Sequence, residues 1–127
     1  MPHLRSLRPS SRRRGDRGAQ MVEFAAYLPI VLLVVVLVME AFFTFTAIER
    51  IESAARAGAR VAGEGGFEHA SATARQSLPG WLDDAVIHSG RDGNGGVYTE
   101  VSVNTPLMWK NAPLTIELNR RVEMPTV

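Results

Sequence analysis

The sequence predicts an α+β protein. One long N-terminal helix, first membrane-spanning and then amphipathic, carries a small antiparallel β head. Three observations predict it. Residues 24–39 are sixteen consecutive uncharged positions, nearly all apolar. Small and apolar side chains then recur at helical spacing as far as Ala62. Near the C-terminus, aliphatic and polar residues alternate with the period of a strand that buries one face.

The leader comes first. Arg5, Arg8, Arg12, Arg13, Arg14 and Arg17 stand against Asp16 before Gly18, a net +5. The remaining residues hold eight Lys/Arg and twelve Asp/Glu, a net −4, and the two parts give the chain's +1. A charge divided this way does not describe a nucleic-acid binder, whose basic residues would line one face. There is no cysteine, which excludes disulfide scaffolds, thiolate zinc sites and cysteine nucleophiles.

The membrane helix follows. Phe24–Met39 is short for a span, but extension to Ala47 gives twenty-four residues interrupted by Glu40 alone. A span needs roughly 20 mostly apolar residues. Val31–Val38 is all Val and Leu, so it has no polar stripe with which a soluble helix would face water. Pro29 inside the run is tolerable in a membrane helix. The arginines place residues 1–18 in the cytoplasm and residues from about 48 onward outside it. The competing reading is a secretory signal peptide, but no clean A-x-A site follows the run, and Glu40, Phe42, Phe43 and Phe45 do. Ser11-Arg12-Arg13 hints at a twin-arginine signal, yet Gly15-Asp16 stands where an apolar residue is expected.

The helix does not stop at the membrane. Ile48, Ile51, Ala55, Gly58 (or Ala59) and Ala62 form one stripe, with Glu49, Arg50, Glu52, Arg56 and Arg60 mainly off it. Glu52 and Arg56 stand at the favourable i,i+4 spacing, while Arg56 and Arg60 repel. Gly63, Gly65 and Gly66 end the helix. From Gln20 to Ala62 it would run about 65 Å at 1.5 Å per residue, far longer than an anchor needs. The division is leader 1–18, transmembrane helix 19–47, amphipathic stem 48–63 and exported α+β head 64–127.

Within the head, residues 67–79 read as a short helix ended by Pro79-Gly80, and Trp81 to Ile87 as a strand or an irregular link. Gly90 to Gly96 is a turn by composition. Val97, Thr99, Val101 and Val103 make one strand face, and Leu114, Ile116 and Leu118 another. The loop from Pro106 to Pro113 carries Met108 and Trp109. No catalytic constellation stands out. Asp83-Asp84 are adjacent, His3, His69 and His88 are scattered, and no H-E-x-x-H, G-x-S-x-G or P-loop pattern occurs. Asp92-Gly93-Asn94 resembles the start of a calcium loop but lacks the later glycine and bidentate Glu. The expectation is therefore no enzyme, no metal, no cofactor and no small-molecule substrate.

Gly18-Ala19-Gln20-Met21-Val22-Glu23-Phe24, Leu28-Pro29, Glu40 and Ala54-Ala55-Arg56-Ala57-Gly58-Ala59-Arg60 together resemble the TadE family. These are pilin-like proteins (pseudopilins) of the Tad/Flp branch of type IV pili, and the likeness covers roughly residues 14–62. The chain is too short for the large extra domain of the related TadG proteins, which favours the TadE or TadF type. The resemblance implies a pilin-like fold and cleavage by a prepilin peptidase between Gly18 and Ala19, leaving residues 19–127 in the bacterial inner membrane or a pilus. It implies that Glu23, with Phe24 beside it, acts in assembly by pairing with the free amine of a neighbouring subunit. Read plainly, Glu23 is an interfacial residue in the first helical turn, where a carboxylate complements the helix dipole. Glu40 has two readings: the end of the apolar segment, or a contact with another subunit. Ala55, Gly58, Ala59 and Ala62 are expected to let other elements pack close to the stem. The expected partners are the membrane, the prepilin peptidase, other pilin-like subunits and pilus assembly proteins, with no nucleic acid. The alternative is an uncleaved single-pass membrane protein with a small exported adaptor or binding domain.

Overall fold

A computed structural model describes residues 15–109, 111–113 and 115–125, without the side chains of Gly15 and Asp16. The leader arginines from Arg5 to Arg14, and Leu114 with its expected place in a strand, lie outside the described residues. The elements run α1 (Gly15–Gly63), α2 (Phe67–Gln76), a 3₁₀ turn (Gly80–Leu82), β1 (Val86–Arg91), β2 (Val97–Thr105) and β3 (Ile116–Met124). The fold is α+β, with a long apolar N-terminal helix and a small antiparallel sheet. The chain divides into two compact units, Met1–Val36 and Leu37–Val127.

In the first unit, α1 is long and apolar enough to cross a membrane, and none of its most apolar window is buried. Exposure is high all round: Phe24 68%, Leu32 55% and Val35 51%. A water-soluble helix would have covered one of these faces.

The second unit begins where α1 becomes amphipathic. Ala47, Ile51, Ala54, Ala55, Ala59 and Ala62 are buried, with Glu49, Arg50, Arg56 and Arg60 exposed. The stripe starts at Ala47; Ile48 is only half-buried. Arg56 donates to Glu52 across one turn. α1 ends in a Schellman cap: Gly65 N–H bonds the Ala62 carbonyl at 3.0 Å and Gly66 N–H the Val61 carbonyl at 3.4 Å. Gly65 takes φ +96°, which a side chain would resist. α2 stops at Gln76, short of the expected Pro79, because Ser77 folds back and its hydroxyl donates to the Thr73 carbonyl at 2.9 Å. Pro79 also disfavours a helical Leu78.

Among the described residues the sheet is three-stranded, ordered β1-β2-β3, with both pairs antiparallel. β2 is central and alternates strictly: Val97, Thr99, Val101, Val103 and Thr105 are buried, and the residues between are not. Its inner face meets Ala47, Ile51, Ala54 and Ala55 of α1, Ala74 of α2, and Leu82. A second cluster joins Ala62, Ala70 and Val97. β1 begins in the segment read as a strand or an irregular link and continues into the expected turn, as far as Arg91. Gly90 belongs to the ladder, opposite Tyr98. A Cβ at Gly90 would lie 3.2 Å from the Tyr98 ring, so the ring occupies the place of the missing side chain.

Candidate functional site

Among the expected site residues, Gly18 and Ala19 lie in the first turn and a half of α1, exposed, with nothing within 4 Å of where a Gly18 Cβ would stand. Glu23 and Phe24 follow about one turn later, both exposed.

Glu40 is different. It is half-buried, and its carboxylate accepts two backbone N–H groups from the β2–β3 loop: Leu107 to Oε1 at 2.5 Å and Met108 to Oε2 at 3.0 Å. One carboxylate thus holds two successive peptide units 67 and 68 residues further along the chain. Hydrogen bonds to an ionised acceptor are stronger than neutral ones, about 1.5–3 kcal/mol each. The contact also answers a physical problem, since a carboxylate directly after sixteen uncharged residues needs donors around it. Beside its two readings, the end of the apolar segment and a contact with another subunit, the structure adds this intrachain clasp. The available signal was a loop with its own backbone donors to satisfy, but nothing in the sequence pairs it with Glu40.

The same place carries a shallow apolar groove. Ala41, Thr44 and Phe45 of α1 form one wall, and Pro106, Ile116 and Leu118 the other, with Glu40 at the edge. The Thr105–Pro106 peptide is cis, and the Thr105 hydroxyl donates to the Ile116 carbonyl at 3.0 Å. Ile116 sits on the inner face of β3 yet is 69% exposed, and Trp109 is 68% exposed. Phe43 packs edge-on against Trp81 at 5.8 Å, while Phe42 and Phe45 face outward.

The small residues of α1 form the other notable feature. Ala55, Ala59 and Ala62 are buried. Gly58 is the tightest point: an added Cβ would lie 2.7 Å from the Thr99 methyl and 3.1 Å from the Ala70 carbonyl oxygen. Thr99, fully buried, shares a 2.9 Å hydrogen bond with Ser89, to which Ser71 donates at 3.3 Å. A polar chain thus crosses α2, β1 and β2 just where α1 comes closest. Arg75 binds the Asp83 and Ala85 carbonyls at 3.3 and 3.0 Å, fixing α2 to the segment that leads into β1.

Among the described residues no group of three or more His, Asp or Glu could hold a metal ion. Asp92 instead makes a turn, its carboxylate accepting the Gly93 N–H at 2.8 Å and its N–H bonding the Gly96 carbonyl at 2.8 Å.

Residues 18–60 match the family model described as TadE-like protein. No curated protein and no solved structure matches the chain. The matched segment runs from Gly18 through Glu23, the apolar run and Glu40 to the small-residue stripe, and ends before α2. It overlaps the helix that is long and apolar enough to cross a membrane.

Proposed function

We propose that this chain, TadE-like over residues 18–60, is a pseudopilin that a prepilin peptidase processes between Gly18 and Ala19 and that acts in assembly of a Tad/Flp-type pilus or a related secretion machine. The observation that carries the reading is the coincidence, inside the matched segment, of Gly18, Glu23 five residues later and an all-round apolar helix. The arginine leader holds the N-terminus in the cytoplasm, and residues 64–127 are exported as the head. Gly18 has no Cβ, which suits a narrow protease site.

Cleavage removes +5 of formal charge and creates an α-amine on Ala19. Glu23 then lies about 6 Å along the helix axis from that amine, at 1.5 Å per residue. In a packed assembly of such helices Glu23 pairs with the amine of a neighbouring subunit, because an unpaired charge among apolar side chains costs several kcal/mol. Lateral contact with other pilin-like helices replaces lipid around the exposed Val and Leu side chains. The role is mechanical, with no reaction performed by this chain.

The test is the intact mass and N-terminal sequence of the protein from native membranes. A start at Ala19-Gln20-Met21 is the expected result. A chain retaining Arg17-Gly18 would reduce the protein to an uncleaved single-pass anchor for its head.

A further inference from the structure

We propose that the β2–β3 loop is a second membrane contact. Glu40 clasps it so that Met108 and Trp109, together with Phe42, Phe45 and Ile116, sit in the lipid headgroup–acyl boundary. The inference rests on the membrane-spanning reading of α1 and adds a contact that the TadE-like match, which ends at residue 60, does not reach.

The argument begins with where the loop is fastened. With the span starting near Met21, the roughly 20 residues that a bilayer requires end at Glu40, which puts it at the level on α1 where hydrocarbon gives way to the interface. The two N–H groups it holds belong to Leu107 and Met108. The next residue, Trp109, is therefore kept near that level. It is 68% exposed, and Met108 is 49% exposed. In water, a loop with these two side chains outward gains nothing from showing them. Tryptophan, with an apolar ring and one N–H donor, is the residue enriched at this depth of a bilayer.

The patch is also continuous with the span. Phe42 (62% exposed) and Phe45 (71%) lie within two turns after Met39 on the same helix, and Phe45 and Ile116 line the apolar groove beside Glu40. Apolar surface thus passes without a charged gap from α1 across the groove to Ile116, with Glu40 itself turned to the loop's N–H groups. A lipid acyl chain or glycerol backbone fits a shallow, open, apolar groove of this kind. The outcome is a loop that touches the bilayer in addition to α1.

The full chain has two tryptophans, so a Trp81→Phe variant leaves Trp109 as the sole reporter. Trp81 is 38% exposed and its edge contact with Phe43 is one phenylalanine can keep. The variant is reconstituted in phosphatidylcholine–phosphatidylglycerol vesicles with and without lipids brominated at the shallow end of the acyl chain. The expected result is loss of most Trp109 fluorescence in brominated vesicles, with less of that loss when Glu40→Gln is added. Flotation with vesicles but no bromine quenching, with Trp109 open to acrylamide, would overturn the inference and leave the spanning helix intact. Shielding from acrylamide that grows with the protein-to-lipid ratio, without bromine quenching, would assign the patch to a second copy instead and equally overturn it. Failure to float would remove the spanning reading and the inference together. Quenching indifferent to Glu40→Gln would overturn the role of the clasp.

Discussion

Glu40 and Met108 are joined by a 3.0 Å hydrogen bond, side-chain carboxylate to backbone N–H, across 68 residues of chain. With the companion bond from Leu107, it ties the loop between the two last strands to the point on α1 where charge first reappears. The relationship turns an apparent liability, a carboxylate beside an apolar run, into a fastening.

Replacing Glu40 by Ala leaves two N–H groups without their acceptor, and Gln offers a single neutral oxygen. The expected cost of Glu40→Ala is about 1–3 kcal/mol of local stability, concentrated in the loop. Amide hydrogen exchange at Leu107 and Met108 should quicken roughly tenfold to a hundredfold, since 1.4 kcal/mol is a factor of ten. The exchange of Val101 and Val103 in the central strand should hardly change. Uniform quickening through β2 would show that Glu40 supports the whole unit and not the loop.

Two glycines of α1 should respond oppositely to alanine. Glycine in a helix normally costs about 1 kcal/mol relative to alanine. At Gly63 a new Cβ would meet only the Val97 methyl, at 3.9 Å, so Gly63→Ala should be neutral or stabilise by up to about 1 kcal/mol. At Gly58 the Cβ would press on Thr99 at 2.7 Å and on the Ala70 carbonyl at 3.1 Å, neither of which can swing away. Overpacking of this kind costs about 1–3 kcal/mol. Thermal unfolding of the full chain in detergent should place Gly58→Ala below wild type and Gly63→Ala at or above it. The reverse order would refute the close packing of α1 on β2.

The buried hydroxyl of Thr99 gives a third test. Thr99→Val keeps the shape but removes one of the two hydroxyl partners of the half-buried Ser89, which keeps Ser71. A lost hydrogen bond costs about 0.5–1.5 kcal/mol. The paired change with Ser89→Ala should cost less than the sum of the two single changes, because each removes the same Ser89–Thr99 bond. A double-mutant cycle on melting in detergent measures the coupling, and strict additivity would mean that Ser89 and Thr99 act independently.

Much of this architecture was legible because its signals are local. The Val/Leu run, the helix-ending glycines around Gly65 and the alternation of Val97, Thr99, Val101 and Val103 each follow from neighbouring residues alone. β1 was not fully legible. Its strand contains Gly90, which composition assigns to a turn, and only the Tyr98 ring across the ladder explains how a glycine serves there. Tyr98 is itself held by Arg121, whose guanidinium stacks 3.9 Å from its ring centre. The start of the buried stripe moved from Ile48 to Ala47 for a related reason. The sheet selects the face that lets backbones approach, so alanine is buried ahead of a bulkier isoleucine. The Glu40 clasp was hidden because it joins a helix to a loop 67 residues away, and no periodicity records such a contact.

The final prediction separates processing from assembly, the two roles proposed for the start of α1. Gly18→Arg puts a long cationic side chain where the peptidase would need a bare backbone, and it should leave the uncleaved chain in the membrane. Glu23→Ala changes nothing at the scissile bond, so the processed chain should accumulate at its usual mass. It should fail to join other pilin-like subunits, because the Ala19 amine would then be buried without a counter-charge, a penalty of about 3–5 kcal/mol for one half of a buried pair. Glu23→Asp shortens the reach but keeps the charge and should retain partial assembly. Immunoblotting of membrane and sheared-pilus fractions from cells carrying each variant reads both steps at once. Normal assembly by Glu23→Ala would reduce Glu23 to a residue that complements the helix dipole, whatever becomes of the cut at Gly18.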